Sequence, residues 1–243
     1  VPADEISYEL PMRWADLDSL NHVNNVVYLD YAAEARARLV DDGLALDDGA
    51  VSSLTVMFLR PMMLSRDPVT VVSTLGEGEL TQDICVVKDG ERTDFARVVT
   101  GLAPRVDATP RPVDAEPMAV RLRRSDLDAS GAVRPAKVFE LFQEIRVLDV
   151  STRLGWLTPG SFVVGTSRVG FRRPIPWREE PYRAVDWISR VGNASFEIRC
   201  EITDGTHVLA DSTTTLVGFD LAAQSSRRFG DVERSRLLEL VQE

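Results

Sequence analysis

The chain has 243 residues, 44% of them hydrophobic and 27% charged, which suits one large or two small globular domains and argues against general disorder. Its net charge of −10 disfavours coating a phosphate backbone or an anionic membrane, so neither nucleic acid nor membrane is an expected partner. No run of 18 apolar residues reads as a membrane span, and the opening stretch has no basic segment before an apolar core, so a secretory leader is not expected in it.

In chain order, Ile6, Tyr8, Leu10, Met12 and Trp14 alternate with polar residues, the pattern of a half-buried strand. An irregular loop, Ala15 to Val23, follows. A helix is predicted from Asn24 to about Asp42, with Val27, Tyr28, Tyr31 and Ala35 at helical spacing and Gly43 as its stop. Strands are predicted over Val51–Leu59, Val69–Leu75, Ile84–Val87 and Ala96–Val106, with Asp89-Gly90 as a hairpin turn. The segment Pro104–Pro117 holds four prolines and five charges, resists regular structure and reads as a linker. A second helix starts at Pro135, where the missing N–H is harmless, and carries Val138, Leu141, Phe142 and Ile145 on one face. Further strands are predicted over Phe162–Phe171, Tyr182–Val191, Ala194–Thr203 and Val208–Phe219, with Asp204-Gly205 as a turn. The tail Asp231–Gln242 reads as an amphipathic helix through Val232, Leu237, Leu238 and Val241.

The order of elements repeats because the sequence does. Leu10–Arg36 aligned with Val120–Arg146 at an offset of 110 gives seven identities in 27 positions, where about two are expected from composition. They include Arg13/Arg123, Asp16/Asp126, Asp18/Asp128, Glu34/Glu144 and Arg36/Arg146. Each copy offers one strand, one long helix and a four-stranded meander, an α+β architecture. The expected organisation is an N-terminal unit over 1–106, a linker over 107–117 and a C-terminal unit with its extra helix over 118–243.

Candidate chemistry is sparse. There is no G-x-S-x-G elbow, no P-loop and no H-E-x-x-H, and Gly76-Glu77-Gly78 lacks the third glycine of a dinucleotide fingerprint. Cys85 and Cys200 sit in apolar alternating runs, which suits buried thiols in a reducing, cytoplasmic setting. Two cysteines and two histidines scattered along the chain do not make a structural zinc site, so no metal is expected. His207, beside a turn, reads as a surface residue. Arg60, Arg66, Arg172 and Arg173 are candidates to hold phosphate groups of a small molecule, with surface solvation the competing role.

What remains is the polar loop Asp16 to Asn25, with two carboxylates, three amides and one of the two histidines, leading into a helix N-terminus. Free backbone N–H groups and a partial positive charge at such an end can polarise a carbonyl, and an upstream carboxylate can activate water or attack. Taken singly, each of these Asp and Asn residues suits a cap or turn equally well.

The pattern D-x-D-x-x-N-H-V-N-N-x-x-Y over Asp16–Tyr28, followed by Glu34 and Arg36, resembles the acyl-CoA thioesterases of the 4-hydroxybenzoyl-CoA thioesterase type. The tandem arrangement is similar to the acyl-acyl-carrier-protein thioesterases. The resemblance spans roughly 5–103 and 118–220 and implies a double hotdog, each unit a long helix packed on a curved antiparallel sheet. It places the catalytic carboxylate on Asp18, the carbonyl-polarising amide on Asn25 and a supporting histidine on His22. Asn24, Tyr28, Arg60 and Asp128 are candidates for substrate binding; Tyr28, Tyr31, Phe139 and Phe142 are candidates to shape an acyl pocket, with core packing the alternative. The carrier-protein branch carries an asparagine two places after the aspartate, where this chain has Leu20. In the second copy Ala132 replaces the histidine and Arg134-Pro135 replaces the Asn-Asn pair, so that half reads as degenerate. The resemblance implies hydrolysis of an acyl-CoA, no cofactor, and a homodimer as one possible assembly. The alternatives are a non-catalytic acyl-CoA-binding protein and an acyl-carrier-protein thioesterase.

Overall fold

The computed structural model describes residues 5–18, 21–43, 51–157 and 160–242. The chain divides into two compact units, Val1–Arg105 and Val106–Glu243.

In the first unit, β1 (Ile6–Leu10) is followed by a 3₁₀ turn at Trp14–Asp16, α1 (Val27–Asp41), β2 (Ser53–Phe58), β3 (Val69–Leu75), β4 (Glu79–Lys88) and β5 (Glu91–Gly101). The strands form an antiparallel sheet in the order β1-β3-β4-β5-β2. β4 and β5 meet at Asp89-Gly90, both with positive φ (52° and 83°), the backbone of a tight hairpin turn. The first strand is shorter than the alternation suggests. It stops at Leu10, and Trp14 opens the 3₁₀ turn, 81% exposed.

Helix α1 buries Tyr28, Leu29, Tyr31, Ala32, Ala35, Arg36 and Leu39, a stripe at three- and four-residue spacing that packs on β1, β3, β4 and β5. Ala32 and Ala35 keep that face shallow, and the buried Gln82 of β4 reaches the Ala32 carbonyl, donating at 2.9 Å. The opposite case is Arg36, a charged residue on the buried face. Its guanidinium lies 3.5 Å from the Thr100 hydroxyl on β5.

The second unit repeats this plan. β6 (Met118–Val120) leads to a 3₁₀ turn at Arg124–Asp126, α2 (Pro135–Thr152), then β7 (Phe162–Phe171), β8 (Tyr182–Val191), β9 (Ser195–Thr203) and β10 (Val208–Asp220). The order is β7-β10-β9-β8-β6, with the short β11 (Ser225–Ser226) on β10. Pro135 opens α2 as expected. Arg146, the counterpart of Arg36, sits 3.5 Å from Thr214 on β10, and burial pushes its guanidinium down to about 10. The tail helix α3 (Asp231–Glu239) is shorter than its pattern, and only Leu237 is fully buried; Val232 and Leu238 are exposed. Leu237 joins Leu154, Ile188, Phe196, Leu216 and Phe229 in a satellite core.

The proline-rich segment between the two repeats forms no helix or long strand. It is nevertheless held by the second unit. Asp107 pairs with Arg173, Ala108 bridges Val208, the Arg111 N–H donates to Glu201, and the Asp114 N–H donates to Gln242.

The second unit also encloses a carboxylate pair that its sequence does not announce. Asp149 of α2 and Asp186 of β8 are both buried, and Arg153 donates to Asp149 at 2.8 Å and to Asp186 at 3.3 Å. Burial, then the charge and hydrogen bond of Asp149, hold the Asp186 carboxyl up at about 7 against the pull of Arg153. The folded state therefore keeps a proton that the unfolded chain releases near pH 4. The stability this contributes is complete below about pH 4 and is lost as pH rises through 7. Thermal unfolding followed from pH 4 to 8 is expected to show that decline, and Asp186→Asn is expected to flatten it; an unchanged pH profile in the variant would refute the assignment.

Candidate functional site

The loop between Trp14 and Val27 is built by backbone bonds that recur in both units. The Arg13 N–H donates to the Asp16 carboxylate at 2.7 Å, and the Asn24 N–H donates to the Asp16 carbonyl at 2.9 Å. Arg123, Asp126 and Arg134 make the same two bonds at 2.7 and 3.1 Å. Leu17 bridges Val23 as Leu127 bridges Val133. Asp16 and Asp126 thus tie the start of the loop to the start of the helix.

Inside that frame, Asp18 and His22 close on one another. The Asp18 N–H donates to the His22 carbonyl at 2.8 Å, and the His22 N–H donates to the Asp18 carboxylate at 3.1 Å. Asn21 takes a left-handed conformation (φ 63°), where the second copy has Gly131 (φ 82°). Ser19 and Leu20, including the position at which the carrier-protein pattern departs, lie outside the described residues.

The helix begins at Val27, three residues later than its pattern suggests. The reason is local. The Asn24 side chain accepts the Val26 N–H at 3.2 Å, and the Asn24 carbonyl accepts the Val27 N–H at 2.9 Å, so Asn24 folds the chain into a turn before the first helical residue. Asn25 lies in that turn, half-buried, and among the described residues its backbone N–H meets no protein acceptor. At the corresponding place in the second unit stands Pro135, which has no N–H at all.

Tyr28, buried in the first turn of α1, brings its phenol to the same place. Burial, with the Asp18 carboxylate nearby, raises it to about 12, while a hydrogen bond from the Met62 N–H works the other way. Tyr28 therefore stands protonated beside Asp18 as a hydroxyl group. Met62 and Met63 form the side of the site that the sequence did not reveal. The Val23 N–H donates to the Met62 carbonyl at 2.8 Å, and His22 bridges Met63. Trp14, Leu59, Met63 and Leu64 leave exposed apolar surface on these segments.

The structure thus brings together Asp18, His22, Tyr28 and the Asn24-Asn25 turn. It treats the other candidates differently. Tyr31 donates to the Asp16 carboxylate at 2.7 Å and is buried on α1, and Phe139 and Phe142 are buried on α2. Arg60 is exposed at the end of β2, and among the described residues nothing pairs with its side chain; Arg66 is also exposed. Arg172 and Arg173 are engaged by Asp211 and Asp107. Asp128 is exposed and turned on its own loop, accepting the Ser130 hydroxyl and N–H and the Ala132 N–H, which together hold its carboxyl below the usual range. His207 lies at the Asp204–His207 turn. Both cysteines are buried, and burial raises their thiols. Among the described residues no group of three or more His, Cys, Asp or Glu is placed to hold a metal, and no helix is long and apolar enough to cross a membrane.

One long helix packed on an antiparallel sheet, repeated in tandem, defines a double hotdog. Residues 12–118 match the family model of the thioesterase-like superfamily. No curated protein matches the chain in sequence. Solved structures share the tandem fold at low identity. A protein provisionally assigned as an oleoyl thioesterase from Lactobacillus plantarum is 12% identical with a TM-score of 0.63, over 90% of this chain and 98% of that one. The 12:0-ACP thioesterase from Umbellularia californica is 13% identical with a TM-score of 0.62, over 88% and 94%. An acyl-ACP thioesterase from Bacteroides thetaiotaomicron is 12% identical with a TM-score of 0.57, over 87% and 97%.

The left-handed turn gives a direct test of the loop. Asn21→Gly is expected to leave thermal stability nearly unchanged, whereas Asn21→Val places a β-branched side chain at positive φ and is expected to destabilise the fold by about 1–2 kcal/mol. Equal melting of the two variants would show that the turn conformation does not matter.

Proposed function

We propose that the protein hydrolyses an acyl-CoA thioester to a free acid and coenzyme A, at the loop formed by Asp18, His22, Asn24 and Asn25. One observation carries this reading most directly: a carboxylate and a helix N-terminus lie on one loop, the Asn25 N–H there meeting no protein acceptor among the described residues, within the region that matches the thioesterase-like family model. In the proposed reaction the Asn25 N–H, aided by the α1 dipole, polarises the thioester carbonyl. Asp18 then either attacks that carbon, expelling the coenzyme A thiolate and leaving an anhydride that water opens, or takes the proton of a water that attacks the carbon and expels the thiolate, which leaves as the protonated thiol. His22, whose N–H already fixes one Asp18 oxygen, orients the carboxylate or the water. The Tyr28 hydroxyl and the Asn24 turn shape the substrate's side of the loop, with the exposed apolar surface of Leu59 and Met63 for the acyl chain. Arg60 is assigned to the phosphates of the nucleotide. The reaction draws on no metal or redox group.

The second unit supports the assignment by contrast. It keeps Asp128 but lacks the histidine, the phenol of Tyr28 and the amide at Pro135. Three differences at one loop separate the proposed site from its counterpart.

The decisive measurement is free-thiol release from a panel of acyl-CoAs. Asp18→Asn is expected to abolish turnover and Asp128→Asn to keep it. Asn25→Ala, which retains the backbone N–H, is expected to stay active, whereas Asn25→Pro, which removes it, is expected to lose roughly 10²–10³-fold in kcat. Saturable acyl-CoA binding without thiol release would make this a binding protein instead. Release from acyl carrier protein but not from CoA would move the substrate to the carrier.

A further inference from the structure

The two units differ at the gap between their first strand and their helix. In the first unit two side-chain pairs span it. Tyr31 of α1 donates to the Asp16 carboxylate at 2.7 Å. Arg38 of α1 donates to the Tyr8 hydroxyl on β1 at 3.2 Å, its guanidinium 5.4 Å above the ring. The offset of 110 carries these residues onto Leu141, Leu148 and Met118, none of which can make either bond. All three line a cavity of 340 Å³ between β6 and α2.

The carboxylate that received the phenol is still there. Asp126 is 5% exposed, lines the cavity, and accepts the Arg123 N–H at 2.7 Å, as Asp16 accepts the Arg13 N–H. Among the described residues, no hydroxyl donor takes the place of Tyr31 on it. Neither Asp126 oxygen is both buried and without a partner, but a hydroxyl brought to it from the cavity would add a charge-assisted hydrogen bond. The lining is mixed, with Met118, Leu141 and Leu148 apolar and Lys137, Glu140 and Glu144 charged, and a cavity of roughly 150 Å³ already suffices for a benzene ring.

We propose that the second unit binds a small phenol in this cavity, the ring against Met118, Leu141 and Leu148 and the hydroxyl donating to Asp126. The ligand restores from solution the group that Tyr31 supplies covalently in the first unit. This site is separate from the Asp18 loop and does not rest on the hydrolase reading.

p-Cresol, the tyrosine side chain as a free molecule, is the probe, and toluene is its counterpart without the hydroxyl. With methyl-labelled methionine, p-cresol is expected to shift the Met118 signal saturably, leave the Met62 and Met63 signals in place, and bind at least about tenfold more tightly than toluene, equivalent to about 1.4 kcal/mol. Leu141→Tyr is expected to abolish binding by supplying the phenol itself; Leu141→Phe, which fills the space with a ring alone, is the second variant should the tyrosine disturb folding. Absence of a saturable Met118 shift, equal affinity for toluene, or p-cresol binding unchanged in either variant overturns the proposal.

Discussion

The carboxylates of Asp16 and Asp126 are the constraint on which each unit is built. Each ties the chain where it leaves the first strand, through an arginine N–H, while its own carbonyl ties the chain where it prepares to enter the helix. Closing a loop at both ends removes most of its freedom, and whatever lies between is then held in a small set of positions. Asn21-His22 and Gly131-Ala132 differ in side chain, yet the same backbone bond recurs there, from the Asp18 N–H to the His22 carbonyl and from the Asp128 N–H to the Ala132 carbonyl, each at 2.8 Å. Duplication thus yielded two identical frames in which chemistry was free to diverge.

That divergence has a direction. The first loop holds the histidine, the phenol beside Asp18 and the amide at Asn25. The second holds a proline at the helix start and an aspartate satisfied by its own serine. Its unit instead carries a tail helix, a larger aromatic cluster around Phe162, Phe196 and Phe229, and the buried Asp149–Asp186 pair.

Much of the fold was legible in the sequence because it depends on local rules. Alternation gave Val69–Leu75, Phe162–Phe171 and Tyr182–Val191 to the residue, and Asp-Gly marked the β4–β5 hairpin. Errors came where a tertiary or side-chain bond overrides periodicity. Asn24 looked like the first residue of a helix and is instead the hinge of a turn; Trp14 continued an alternation that the strand had already left. The polar half of the site was visible as a cluster of unusual residues. Its other wall, Met62 and Met63, was not, because it joins the loop through main-chain atoms some 40 residues away and leaves no mark on side-chain type. The buried acid pair was hidden for a related reason: in sequence, Asp149 and Asp186 look like any solvated charges.

The shallow face of α1 has a consequence for how far the two copies can still stand in for each other. Where Ala32 and Ala35 face the sheet of the first unit, α2 presents Phe142 and Ile145, and both pairs are buried. Interiors tolerate little added volume, so the helix of one unit is too bulky for the other although both enter from the same loop. The halves share an ancestral frame but are no longer exchangeable parts. Recombination between them would break the core before it altered either loop.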